Sequence, residues 1–214
     1  MRTASVLSRA SIALAGGLVA VGLFAPLAAA AADNPVTFAC QATPPIGGAQ
    51  TFNLGAGVNA TAPASVAAGS QFTVTLAPDA LTVPTTVSGY GIQSISDIQL
   101  TVPVPTNSTL VGESLSGGSG IDPSTASVAV NGNDLVVTVT DSVAGGRTFT
   151  LPALTLTLTA GASGSTIQTS VAGTGYGDPG LTFNATVPVA FFTVNVPTSC
   201  YPATAQALSS TTVD

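Results

Sequence analysis

The chain has 214 residues with nine acidic and three basic side chains, all three basic ones arginine, and it contains no histidine, lysine or tryptophan. A surface so short of cations cannot neutralise phosphates, which excludes nucleic acid and anionic membrane surfaces as partners. Without histidine or lysine, Ser–His–Asp and Ser–Lys hydrolysis, the usual zinc, copper and haem sites, and the lysine of a phosphate-binding loop are excluded as well.

The first element is an export signal of the Sec type. Arg2 and Arg9 make a short positive start, residues 10–27 are apolar apart from Ser11, and Ala28 to Ala32 supply small residues for A-x-A cleavage. Cleavage is expected after Ala32, with Ala30 as the alternative. The expected organisation is signal peptide 1–32, a single β-sandwich domain 33–201, and a flexible C-terminal tail 202–214. No later stretch is long and apolar enough for a spanning helix, so none is expected after signal removal.

Beyond the signal, apolar residues alternate with Thr, Ser, Asn and Gln at the period of a half-buried strand. Val36, Phe38 and Cys40 share one face of a first strand, and Phe52, Leu54, Ala56 and Val58 define a second. Phe72, Val74 and Leu76 give a third. Ile98, Leu100, Val102 and Val104 follow, with Pro103 suggesting an edge or a bend. A strand over 107–115 precedes the glycine-rich loop 116–120. Val128 and Val130 lead into Asn131-Gly132, and Leu135, Val137 and Val139 lead out, a hairpin with an Asn-Gly turn. Leu154, Leu156 and Leu158 form the next strand, and Ile167, Thr169 and Val171 another. Alternation from Leu181 to Phe191 predicts one long strand, with a bulge where Phe191-Phe192 breaks it before Val194 and Val196. About ten strands separated by Gly, Pro, Asn and Asp turns predict an all-β domain, an Ig-like or Greek-key sandwich with a closed barrel as the alternative.

Cys40 and Cys200 stand near the two ends of the mature chain, and in an exported protein an even pair forms one disulfide. Phe38-Ala39-Cys40, the Pro-Gly turn after it, Ala62-Pro63 with Val66 and Gly69, and Ser199-Cys200-Tyr201-Pro202 resemble a group of secreted actinobacterial β-sandwich proteins of uncharacterised function. That resemblance implies a place, the cell envelope or the medium, and no catalytic residues.

Carboxylates are the remaining chemistry. Glu113 is the sole glutamate, and Asp79, Asp122, Asp134, Asp141 and Asp178 fall in turns, where Asp caps backbone N–H groups. No Asp-x-Asp spacing marks a calcium site. Neither catalytic residues, nor a cofactor, nor a metal is expected. Tyr90 and Tyr176, each between glycines, and Asp178 beside Tyr176 are the candidate ligand contacts, suited to a cell-surface glycan or protein. The expected function is a non-enzymatic secreted or envelope module with a structural, adhesive or ligand-binding role. The alternatives are an outer-envelope pore or membrane-inserted barrel, and a carboxylate-dependent glycan hydrolase resting on Glu113.

Overall fold

The structure, a computed structural model, describes residues 29–45 and 47–214. The expected export signal falls largely on residues 1–28, outside the described residues. Its small-residue end does not: residues 29–32 begin the first strand, paired with residues 60–63.

Ten strands make up the main sheet: β1 (Ala29–Ala42), β2 (Gln50–Pro63), β3 (Gln71–Pro78), β4 (Ser94–Pro103), β5 (Ser108–Ser116), β6 (Ala126–Asn131), β7 (Asp134–Val139), β8 (Ala153–Ala160), β9 (Leu181–Val189) and β10 (Phe192–Pro202). Their hydrogen-bonded order is β6-β7-β4-β9-β10-β1-β2-β3-β8-β5, antiparallel throughout, with Val143–Ala144 added beside β4. The end strands β5 and β6 approach each other without a ladder between them, so one continuous sheet curls almost into a closed wall. The all-β, disulfide-closed fold is as the alternation implies, sandwich-like in its packed interior and barrel-like in its continuity.

Period-two patterning decides what that wall encloses. Val36, Phe38 and Cys40 on β1, Val74 and Leu76 on β3, and Leu154, Leu156 and Leu158 on β8 all point inward and are buried. They join Leu135, Val137 and Val139 of β7 in one apolar core. The alternate positions Thr73, Thr75, Thr155 and Thr157 face out, where the Thr75 and Thr155 hydroxyls lie 3.1 Å apart across the β3–β8 ladder. Cys40 and Cys200 are directly opposed in the β1–β10 ladder, and their disulfide spans a sequence separation of 160. It ties together two neighbouring strands from opposite ends of the chain.

Several local expectations are corrected. Ala190 and Phe191 are a two-residue hairpin loop, not part of a continuous strand with a bulge: Val189 pairs with Phe192, and Ala190 takes a left-handed φ of 50°. The Phe191-Phe192 break in alternation is a chain reversal. In the β6–β7 hairpin the loop residues are Gly132 and Asn133, with Asn131 paired to Asp134. Gly132 has φ +63°, the conformation that a first loop position requires and glycine adopts without strain. Pro103 closes β4, an interior strand flanked by β7 and β9.

The end of the chain, expected as a flexible tail, is also corrected. Ser209–Val213 forms a strand, antiparallel to Thr166–Thr169 and parallel to Ser65–Val66, in a small sheet of its own. Leu208, Thr211 and Val213 are buried beneath it. The Asn34 side-chain amide donates to the Leu208 carbonyl at 2.9 Å, and the Thr211 hydroxyl donates to that of Pro63 at 2.8 Å. Thr211 and Val213 alternate inward with Ser210 and Thr212 facing out, and Leu208 anchors the start of the segment, so it docks once the main wall is formed.

Candidate functional site: an apolar cavity beneath a crossing strap

The five neighbouring strands β4, β9, β10, β1 and β2 present one inward face that the main core does not fill. Small side chains stand there, Ala42, Ala56 and Ala185 among them, with Gly57 beside Val58. Three buried residues at this end, Ala185, Val187 and Val196, form a minor cluster separate from the main core. Phe52, Leu54 and Phe183 point inward, yet they stay half-buried. The space they surround is a cavity of about 380 Å³.

A strap covers it. Residues 79–93 leave β3 and cross the open face before entering β4, held by a Leu81–Thr82 pairing with Thr148–Phe149. Thr86–Val87 then pairs with Tyr90–Gly91 around Ser88 and Gly89, both at positive φ (51° and 84°), the signature of a tight primed hairpin turn. The Ile92 N–H donates to the Thr85 carbonyl at 2.8 Å and closes this miniature hairpin. Tyr90–Gly91 lies against β9, with Pro188 beside Gly91.

The wall is almost wholly apolar. Its polar side chains are Gln50, Thr82, Ser88, Tyr90 and Thr198, and three of these five have partners in the protein. The Gln50 amide donates to the Gly48 carbonyl at 3.2 Å, the Thr82 hydroxyl lies 2.8 Å from that of Thr148, and the Thr198 hydroxyl donates to the Val196 carbonyl at 3.4 Å. Among the described residues no Asp, Glu, Lys or Arg lines the cavity. The lining comes mainly from segments that carry no charge at all, residues 34–78, 80–96 and 179–213. Such a site rewards apolar surface and has no array of converging polar groups to read a sugar or a phosphate.

The expected contact residues separate. Tyr90 lies on the cavity lining and is 55% exposed, which places it at the opening. Tyr176 and Asp178 are not among the lining residues. Tyr176 packs edge-on against Tyr201 with ring centroids 5.2 Å apart, and the Asp178 carboxylate accepts from the Thr174 hydroxyl at 2.8 Å. Both are engaged by their own loop and its neighbour.

The other carboxylates are likewise dispersed. Glu113 sits on β5 opposite Leu156, away from the cavity lining. Asp79 accepts from the Asn59 side-chain amide at 2.6 Å, and Asp97 accepts from the Asn184 amide at 3.1 Å. The Asp122 carboxylate caps the turn Pro123–Thr125 by accepting from the Ser124 N–H, and that bond and the Ser124 hydroxyl hold its pKa below the usual carboxylate value. Among the described residues no group of three or more His, Cys, Asp or Glu could hold a metal ion, and no helix is long and apolar enough to cross a membrane.

Sequence reasoning missed the cavity. Its signal was the concentration of small inward residues on β1, β2 and β9 beside a long uncharged connection, 80–96, that must cross something.

Neither a family model nor a curated protein matches the chain. Among solved structures it is similar to a chain from the actinobacterium Corynebacterium diphtheriae described as a "Putative membrane anchored protein", with 18% identity and a TM-score of 0.46. The match covers 86% of this chain and 38% of that one, so the chain spans well under half the length of the protein it matches. At that level of similarity the likeness carries no argument about function.

Proposed function

We propose that the chain is a non-enzymatic, exported binding domain that holds an apolar ligand, the acyl or alkyl tail of a lipid, in the strap-covered cavity. The cavity itself carries the reading. About 380 Å³ of space inside an otherwise close-packed β domain falls within the range of small-molecule sites, and its walls are apolar, with three of their five polar side chains partnered within the protein. An apolar space of this size leaves its lining short of dispersion contacts, and a hydrocarbon chain supplies them. The Cys40–Cys200 disulfide supports an oxidising location, the cell envelope or the medium, and the export signal expected from the sequence of residues 1–32 points the same way.

The remaining alternatives have less in their favour. Leu, Val and Ile face the interior and threonines face out, the reverse of a membrane-inserted barrel, whose apolar band faces lipid. No carboxylate lines the cavity, which leaves a glycan hydrolase without a general acid there.

The test is titration of the purified protein with a fluorescent long-chain fatty acid. Saturable one-to-one binding is expected, weakened at least about tenfold by Ala56→Phe, which fills the cavity from β2. Absence of saturable binding, or equal binding by a folded Ala56→Phe protein, would sink the reading.

A further inference from the structure

We propose that the β9–β10 hairpin tip, together with Tyr90 of the strap, docks onto the surface of a neutral lipid layer and sets the mouth of the cavity against it. The proposal rests on the cavity being a site for an apolar chain and names the surface from which that chain is taken or to which it is given.

The tip is exposed in a way the fold does not require. Phe191 is 103% exposed, Phe192 is 56% exposed and Val189 is 38% exposed. A two-residue hairpin loop is normally built from Gly, Asn or Asp, and this one is Ala190-Phe191. Ala190 holds a φ of 50°, and that turn carries the Phe191 ring beyond the end of the wall, free of protein neighbours. Val189, Phe192 and Tyr90 belong to the cavity lining and are also exposed, so they stand at its opening. Phe191 is not part of the lining and projects past it. Apolar surface therefore runs without interruption from the cavity wall, through the mouth, to the outermost ring of the molecule.

Charge singles out lipid as the occupant. The charged residues nearest the tip in sequence are Asp178 and Asp214, those nearest Tyr90 are Asp79 and Asp97, and Arg147 meets the strap only at Val83, outside its hairpin. No charged side chain within the hairpin or the strap hairpin has to be dehydrated when the tip enters a membrane interface, where aromatic and aliphatic side chains are favoured. The acid excess lies on the rest of the molecule and repels anionic headgroups, so the fitting surface is a zwitterionic or uncharged one.

The experiment is flotation of the purified, disulfide-intact protein with phosphatidylcholine vesicles, run beside fatty-acid titration in solution. Wild type is expected to co-float. Phe191→Ser is expected to lose about tenfold in partitioning, the scale of one exposed Phe transferred out of water, with fatty-acid binding in solution unchanged. Replacing part of the phosphatidylcholine by phosphatidylglycerol at low salt is expected to weaken flotation. The proposal is overturned if wild type does not float, if Phe191→Ser floats equally well, or if anionic lipid strengthens binding. It is also overturned if wild type dimerises through this tip in the absence of lipid and Phe191→Ser is monomeric, because a second copy is then the occupant. Normal flotation by a protein that binds no fatty acid overturns the cavity reading and leaves docking standing, so the two failures are distinguishable.

Discussion

Asp122 illustrates how the acidic side chains are used. Its carboxylate accepts from the Ser124 N–H at 2.9 Å and from the Ser124 hydroxyl at 2.8 Å, while its own N–H donates to the Asp141 carboxylate at 2.6 Å. Because its folded pKa is lowered, the stabilisation it supplies is fully present above the unfolded value and is lost as pH falls through the folded one. Asp122→Ala is therefore expected to melt slightly below wild type at neutral pH, with the two melting temperatures converging as pH drops below 3.8, the ordinary aspartate value; thermal scans across that range check it. The disulfide acts on a larger scale. Closing a loop with a sequence separation of 160 restricts the unfolded chain strongly, and the paired substitution Cys40→Ser/Cys200→Ser is expected to cost about 3–5 kcal/mol in urea unfolding. A loss of under about 1 kcal/mol would mean that the β1–β10 ladder holds the chain ends together unaided.

Strands that carry their own alternation were legible as elements, and the joints between them were less so. β3, β7 and β8 read correctly because Val, Leu and Phe occupy every second position between turn residues. The β9–β10 reversal was hidden because neither Ala190 nor Phe191 is a turn residue, and apolar alternation runs up to the bend from both sides. The last strand, Ser209–Val213, was hidden for a different reason. Five residues with one large apolar side chain look like a tail until the Thr166–Thr169 and Ser65–Val66 edges are available to pair with. Its docking gives a direct prediction. Leu208 is 2% exposed at the start of that segment, so Leu208→Ala is expected to destabilise the protein by about 2–4 kcal/mol in urea unfolding. A truly loose tail would show no change.

The cavity belongs to the whole molecule, which is why no stretch of sequence announced it. It exists because the wall curves, because residues 79–93 bridge its open face, and because Ala42, Ala56 and Ala185 meet from three different strands. Tyr90 was legible as an exposed residue between glycines, yet its place at an apolar opening follows from the strap's position against β9. A cavity kept open for a ligand makes a prediction with two opposed signs. Filling it from the half-buried Ala56 adds apolar contacts to the empty protein, so Ala56→Phe is expected to raise unliganded stability by about 0.5–2 kcal/mol. The same change removes the space for ligand. Wild type held at one hundred times the fatty-acid dissociation constant gains about 2.7 kcal/mol by mass action, and Ala56→Phe gains almost none. Urea unfolding of both proteins with and without fatty acid gives all four values. If Ala56→Phe is instead less stable than wild type without ligand, the space is already occupied by well-packed side chains, and the cavity is no binding site.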